Sequence, residues 1–526
     1  MRAPWWGWGD PPSFPEVLRT LIPGGLPERR TPHVSLDEVR LPESRLPDAL
    51  REVASTGREE RVLHAAGKSY PDLVRIRSGD ASGAPDGVLY PESHDELLRL
   101  LELCASEGVA VVPFGGGTSV VGGVEALRGP FESVVALDLA RIDHLKTDRV
   151  SLLGTFGAGL RGPQAETRLA ARGLTLGHFP QSFEFATIGG YAATRSAGQA
   201  STGYGRFDKL VVGLRCATPS GEIAVKPVPA TAAGPSLREL IVGSEGTLGV
   251  ITEATLALRP FPGERRYEGW SFRSFDEGVE AFRQLAHAHH APDVARLSDE
   301  EETRLAMALS ASGSVSDRLG KGYLKARGHS GGCIVIAGYE GDREDVALRA
   351  GLGARVLRDA GGLRLGRRPG ESWLRSRYHG PYLRDSLLDH GVMVETLETA
   401  TTWTRLRELH TAVADALRGA MAARGTPALV GCHVSHVYAA GASLYFTWMG
   451  RREEGAELDQ WRAAKTAAMD AIVAHGGTIT HHHAVGRDHA PWMAAEVGDL
   501  GVEALRAVKE RLDPAGIMNP GKLLPG

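Results

Sequence analysis

Cysteine is scarce in this chain: there are four in 526 residues, Cys104, Cys216, Cys333 and Cys432, and no two form a CxxC pair. That spacing argues against a cysteine-built zinc site or an iron–sulfur cluster and points to a reducing compartment. Long apolar runs are missing as well. Nothing approaches the roughly 20 apolar residues of a membrane-spanning helix, and the opening MRAPWWGWGD lacks the apolar core of a signal peptide. The closing Leu-Leu-Pro-Gly carries no retention or peroxisomal signal. Charge of one sign is not in excess either; a formal net charge of -4 gives no reason to expect a nucleic-acid partner. These absences leave a cytoplasmic globular protein, too long for one core and expected to divide into two or three domains.

What the chain has is glycine, 66 of them, and a mixed α+β texture. Residues 1–85 read as an N-terminal extension, partly helical, with a helix expected around Pro47 to Ser55. From residue 86 to 260 short strands alternate with helices: Gly87 to Tyr90, a helix from His94 to Gly108, then strands at Val109 to Val112, Ser133 to Leu139 and Val211 to Ile223. Residues 261–480 form a second mixed unit ending in the helical stretch DQWRAAKTAAMDAIVAHGG, and 481–526 is a C-terminal segment containing a last helix. The mixture indicates α+β rather than strict βαβ alternation.

Three glycine-bearing loops stand at strand edges within about 140 residues, and together they fit one extended ligand containing a diphosphate. The first is PFGGGTSVVGG, from Pro113, Phe114, Gly115, Gly116 and Gly117 through Thr118 and Ser119 to Gly123. Successive glycines let backbone N–H groups converge on an anion, and the two hydroxyls add donors. No Gly-Lys-Ser/Thr follows it and it does not spell GxGxxG, so it is neither of the common nucleotide loops. The second is TIGGYAATRSAG, with Thr187, Gly189, Gly190, Thr194, Arg195, Ser196 and Ala197. The third is GSEGTLGVIT, with Glu245, Gly246, Thr247, Leu248, Gly249, Val250 and Ile251.

Near the end stand three consecutive histidines, His481, His482 and His483, in GGTITHHHAVG. They are internal and lie in patterned sequence, unlike a purification tag. Thr478-Ile479-Thr480 has strand character; a continued strand would put His481 and His483 on one face and His482 on the other, awkward for three ligands on one ion.

The three loops together resemble the FAD-binding domain of the vanillyl-alcohol oxidase / p-cresol methylhydroxylase flavoproteins. The resemblance implies two α+β subdomains around FAD and a cap over its ring, with the diphosphate on Pro113 to Ser119. The remaining contacts would come from Gln181, Ser182, Thr187, the second loop and the third. No His or Cys lies in the glycine loop, so noncovalent FAD is expected. Two branches compete. D-2-hydroxyacid dehydrogenases carry a metal-binding GHxGDGNxH segment; here GCHVSHVYAAGASLYF lacks the Gly-Asp-Gly-Asn core, and His482 stands where an acidic ligand would be. His433 and His436 have no carboxylate beside them in the sequence and read as structural; no metal is expected.

The other branch is the alkyldihydroxyacetonephosphate synthase family, which the chain resembles nearly end to end through WWGWGD, LGHFPQSFEFATIGG, ARLSDEEE, YLRD, VETLETATTW, CHVSHVYAAGASLYF, GGTITHHHAVG and NPGKLL. That resemblance implies exchange of the acyl chain of 1-acyl-dihydroxyacetone phosphate for a fatty alcohol, with no net redox change. Tyr445 would be the acid/base, joined by His481, His482 and His483. Arg384 would hold the phosphate, with Arg296, Thr396 in a serine position, and His178 beside the flavin. Gln181 replaces a family aspartate. A homodimer and peripheral contact with a membrane surface are further expectations. An FAD-linked oxidase or dehydrogenase of a D-2-hydroxyacid or other alcohol is the alternative, and a flavin-binding protein with a decayed site a third.

Overall fold

The computed structural model describes residues 2–28, 30–310 and 315–525, with backbone alone for 315–317. The first unit is built from two small sheets. β1 (Gly87–Leu89), β2 (Val109–Phe114) and β3 (Ser133–Asp138) form a parallel sheet in the order β1-β3-β2. The helix His94–Ser106 connects β1 to β2; Ser93 caps it by accepting the Glu96 N–H, and Leu97, Leu101 and Cys104 give it one buried face at helical spacing. β4 (Leu145–Asp148), β5 (Leu153–Gly157), β7 (Val211–Thr218), β8 (Gly221–Val225) and β9 (Val250–Ala257) make an antiparallel sheet in the order β4-β5-β9-β7-β8. A two-stranded pair, β6 (Leu174–Thr175) with β10 (Arg259–Pro260), completes this part. The expected strand Val211 to Ile223 is thus a hairpin, turned at Pro219 and Ser220.

The second unit is one antiparallel sheet of seven strands: β11 (Glu264–Phe272), β12 (Val294–Ser298), β13 (Cys333–Gly341), β14 (Leu363–Gly366), β15 (Val392–Thr402), β16 (Ala428–Val437) and β17 (Gly441–Arg451). Their order is β14-β11-β13-β12-β16-β17-β15. Side chains alternate between the faces of a strand. One face sends Leu397, Cys432, Val434, Leu444, Phe446 and Trp448 into the largest core, with Leu406, Leu409, Val413 and Leu417 of the helix Leu406–Ala423. The other face looks toward the first unit.

Two expectations change here. The helix around Pro47 to Ser55 is a single turn, Asp48–Arg51. The strand expected to run into the histidines does not form: residues 478–486 lie outside every strand. After that segment the helix Asp499–Leu512 leads back to the first unit, where the N–H of Val111 donates to Ile517 O at 2.8 Å and that of Asn519 to Val111 O at 2.8 Å. The C-terminus therefore returns to the edge of the β1-β3-β2 sheet.

Candidate active site

A deep cavity lies between the two units. One wall is backbone. Gly115, Gly116 and Gly117 follow β2 and line it, with Thr118 and Ser119. A Cβ on Gly115 would stand 2.3 Å from Thr187 Oγ1, and one on Gly116 2.2 Å from Phe185 O, so only glycine lets this loop lie against residues 185–187. Gly117 has φ +66 and Gly246 φ +75, the left-handed region that a side chain disfavours. Thr187 caps the helix Ile188–Ala193 by accepting the Gly190 N–H at 3.3 Å. The resulting trough of peptide groups and hydroxyls meets a diphosphate through dipoles rather than through side-chain charge.

The opposite wall is the sheet. Antiparallel register sets His433 of β16 opposite Tyr445 of β17, and Tyr445 opposite Glu398 of β15. One step along, Thr447 faces Thr396. Cross-strand partners share a face, so Tyr445 points into the cavity while its neighbours Phe446 and Trp448 do not sit with it. Arg296 of β12 lines the same side. A register shift between Val434 and Val437 turns the backbone so that Ser435 and His436 both reach the cavity.

The histidine segment closes this wall, and a buried carboxylate shapes it. Glu398 Oε2 accepts the N–H of His481 at 2.6 Å; its Oε1 accepts those of His482 at 3.1 Å and His483 at 2.8 Å, and the Thr480 hydroxyl at 2.7 Å. Three consecutive N–H groups pointing to one carboxylate cannot alternate as a strand requires, which is why no strand forms here. A second carboxylate holds the far end: Glu245 accepts the N–H of Val485 at 2.8 Å and of Gly486 at 2.7 Å. The rings then fall into a stack. His433 lies on Tyr445 with centroids 4.8 Å apart, and Tyr445 stands 5.4 Å from His483 and 6.0 Å from His482.

Charge in this wall is paired. Glu302 Oε1 accepts from Arg296 Nη2 at 2.8 Å and from His433 Nδ1 at 2.9 Å, while Arg296 Nη1 donates to His433 Nε2 at 3.0 Å. A guanidinium can only donate, so His433 must carry its proton on Nδ1. Burial pushes the Glu302 carboxyl up, but Arg296 and His433 outweigh it and hold it at about 2. Arg384 donates from Nη2 to Glu395 Oε1 at 3.0 Å and from Nη1 to Lys68 O at 3.0 Å. Burial lowers His482 to about 3 and His483 to about 4, and it raises the Tyr445 phenol to about 12. At neutral pH the wall therefore offers neutral imidazoles and a protonated phenol, suited to passing a proton but not to storing one.

Of the residues anticipated from sequence, most line the cavity: Pro113 to Ser119, Gln181, Ser182, Thr187, Gly189, Gly190, Thr194, Ser196, Ala197, Glu245, Gly246 and Gly249 to Ile251 on one side, and Arg296, Arg384, Thr396, Tyr445, His482 and His483 on the other. Five do not. Arg195 turns away to donate to Val242 O at 2.9 Å and Glu239 O at 2.7 Å, closing the end of a neighbouring helix. Thr247 bonds back to Ser244 O at 2.7 Å, and Leu248 is in the core of the first unit. His178 sits behind Ser196, whose Oγ is 3.2 Å from Nε2, packed on Tyr191 and Phe207. His481 lies behind His482. The expected separation of the histidines is also corrected: ring nitrogens of His436, His481 and His482 come within 4.8 Å of one another, through the bulge and the carboxylate clamp.

Sequence reasoning passed over His433, His436, Glu302, Glu395 and Glu398, all of them partners of residues it did choose. It also missed Trp8, which lines the cavity and whose N–H donates to Asp385 Oδ2 at 2.6 Å. The unusual WWGWGD opening was the available signal.

A backbone trough for a dinucleotide facing a sheet of tyrosine, arginine and imidazole defines a flavoprotein with FAD as its cofactor. Residues 85–225 match the family model described as FAD binding domain, and 261–523 that described as FAD linked oxidases, C-terminal domain. The fold is that of p-cresol methylhydroxylase, with a TM-score of 0.65 at 14% identity over 90% of this chain and 94% of that one. A solved alkyldihydroxyacetonephosphate synthase superposes with a TM-score of 0.84 at 30% identity over 99% of both chains. The synthase of Trypanosoma brucei brucei is 36% identical over 91% of this chain and 80% of that protein, and that of Dictyostelium discoideum 34% over 91% and 79%. The mitochondrial cytochrome-linked D-lactate dehydrogenase of Arabidopsis thaliana is 25% identical, over 92% and 80%. The chain belongs to the alkyldihydroxyacetonephosphate synthase family.

Proposed function

We propose that the protein exchanges the acyl chain of 1-acyl-dihydroxyacetone phosphate for a fatty alcohol, with FAD bound noncovalently and no net redox change. The observation that carries this reading is the make-up of the cavity. Its imidazole and phenol cluster faces the glycine trough, and the remaining lining includes Leu305, Leu309, Leu383, Leu387, Val394 and Met449, an apolar path suited to an alkyl chain. A small hydroxyacid needs no such path. FAD held along the glycine loops would supply the electrophilic centre that the exchange needs.

The chain's own residues have distinct tasks. Tyr445 enters as a proton donor to the departing carboxylate and can recover a proton from the incoming alcohol. His433, fixed as the Nδ1–H tautomer by Glu302 and Arg296, stacks on Tyr445 and holds its ring. Arg384, positioned by Glu395 and Lys68, orients the phosphate, since paired guanidinium still presents positive edge to an anion. Noncovalent binding fits four cysteines that are all buried and free, none among the cavity residues.

The alkyl path also suggests where the substrate enters. Leu309 lines the cavity and is 36% exposed. The helix Val315–Ala326 that follows exposes Leu319 and Tyr323, with Arg318, Lys321 and Lys325 nearby in the chain. An apolar pair among cations suits transient docking of a cytoplasmic enzyme on an anionic membrane surface. Among the described residues no helix is long and apolar enough to cross a membrane. The reading is tested by supplying labelled fatty alcohol and acyl-dihydroxyacetone phosphate to the FAD-loaded protein. Label should enter the ether product with no electron acceptor present; a protein that reduces a dye with D-lactate and ignores the acyl substrate would refute it.

A further inference from the structure

The three consecutive histidines do not share a task. His482 and His483 line the cavity; His481 is turned away from it, and both of its ring nitrogens are engaged. Its Nδ1 is 2.9 Å from His482 Nδ1, and its Nε2 is 2.6 Å from the hydroxyl of Tyr438. Tyr438 in turn is 39% exposed and lines a second, open cleft on the far side of the histidine segment, together with Thr401, Gly441, Gly477, Thr478 and Glu496. Hydrogen-bonding groups therefore run from the cavity through His482 and His481 to Tyr438, a residue at the outer cleft.

The proposed exchange creates a need for such a line. The bond between the substrate carbon and the acyl carboxylate breaks with its electron pair on the carboxylate. A bond forms between that carbon and the alcohol oxygen, and the alcohol O–H breaks. Tyr445 gives its proton to the departing carboxylate and recovers one from the alcohol, so the acid product carries the net proton. Carboxylic acids ionise near pH 4, and a product that leaves as its anion first gives that proton up in the enclosed cavity. The imidazoles there are poor stores for it, because burial keeps both His481 and His482 at about 3. The proton has to pass on.

We propose that Tyr438 and His481 form, with His482, the route by which this proton leaves the cavity. His482 takes the proton on Nε2 and gives its Nδ1 proton to His481 Nδ1. His481 gives its Nε2 proton to Tyr438, whose own hydroxyl proton goes to water in the outer cleft. The two imidazoles end neutral in their other tautomers and Tyr438 ends as it began; a half-turn of each ring then resets the line. The passing positive charge is offset by Glu398, whose Oε2 is 3.4 Å from His482 Nδ1. Tyr438 is a relay residue: it does not line the cavity.

This inference rests on the synthase reading, and the test separates the two. FAD-loaded wild type, Tyr438→Phe and His481→Ala are compared for incorporation of labelled fatty alcohol in H2O and D2O. Tyr438→Phe should keep its FAD and its KM for the acyl substrate, lose on the order of 100-fold in turnover, the low end of proton-transfer effects, and show a larger solvent isotope effect. His481→Ala should show the same defect and recover with added imidazole, which replaces the missing ring. Wild-type turnover and isotope effect in Tyr438→Phe would overturn the relay alone. A loss with an unchanged isotope effect, and no rescue of His481→Ala, would mark both residues as structural and overturn it too. Stoichiometric zinc retained by His436, His481 and His482 after dialysis would also overturn it, because the ion would occupy the nitrogens the relay needs. Wild type that fails to incorporate alcohol would bring down the synthase reading, and the relay with it.

Discussion

The two walls of the cavity are built on opposite terms. The glycine wall is local: three loops, each contiguous in sequence, offer peptide groups and hydroxyls and almost no side-chain charge. The sheet wall is non-local. Its functional groups come from β12, β15, β16, β17, the helix His379–Asp389 and a segment outside every strand, and each cation or clamp ends on a carboxylate: Arg296 on the half-buried Glu302, Arg384 on the buried Glu395, the histidine backbone on the buried Glu398. A wall that binds by shape can be written as a motif. A wall that moves protons needs its charges neutralised in pairs, and those partners lie far away in the chain.

The largest break of the contrast should come from Tyr445→Phe, which removes the acid/base and leaves the glycine wall intact. Turnover should fall by about 10² to 10⁴-fold, the range for a general acid–base group, while the flavin absorbance of the purified protein is unchanged. Retained turnover would remove Tyr445 from the chemistry.

Glu398→Ala should damage the sheet wall without touching the other. It strands three backbone N–H groups; each buried unsatisfied donor is worth about 1–3 kcal/mol, so a clear drop in melting temperature should accompany lost activity and retained FAD. Gly116→Ala is the mirror experiment. Its Cβ would collide with Phe185 O, so FAD occupancy measured by absorbance ratio should fall, and added FAD should restore activity only in part.

The smallest effect is one of pH, and it concerns the clamp that joins the walls. Burial raises the Glu245 carboxyl to about 7, against the opposing pull of the Val485 and Gly486 N–H groups. Its folded pKa exceeds its unfolded one, so its contribution is fully present below about pH 4 and is lost as pH rises through 7, an effect on the order of 3 kcal/mol. Glu398 runs the other way: held well below the ordinary range, it contributes above that range and loses its contribution on acidification. Stability curves of wild type and Glu245→Gln should therefore converge below about pH 4, separate between about pH 4 and 7 as wild type declines, and keep that gap above 7. Parallel curves would contradict the assignment.

The same contrast explains what could be read in advance. Pro113 to Ser119 were legible because glycine after a strand has a local cause. Tyr445 stands beside Phe446 and Trp448, a pattern that by itself suits core aromatics, and only register shows that it faces the other way. His481 to His483 read as a strand because nothing near them in sequence announces Glu398, about 80 residues earlier, whose carboxylate gathers their N–H groups. Arg195 belongs by its loop with the expected FAD contacts, but its side chain caps a helix. Of these, the histidine segment alone is decided by a long-range carboxylate.

The account's central claim is that this cavity exchanges rather than oxidises. One anaerobic incubation tests it most directly: FAD-loaded protein with acyl-dihydroxyacetone phosphate, labelled fatty alcohol and D-lactate, with no acceptor, followed by flavin absorbance and by label in the product. The account predicts repeated turnover into the ether with the flavin oxidised again once substrate is exhausted. Bleaching by D-lactate with no label incorporated would contradict it.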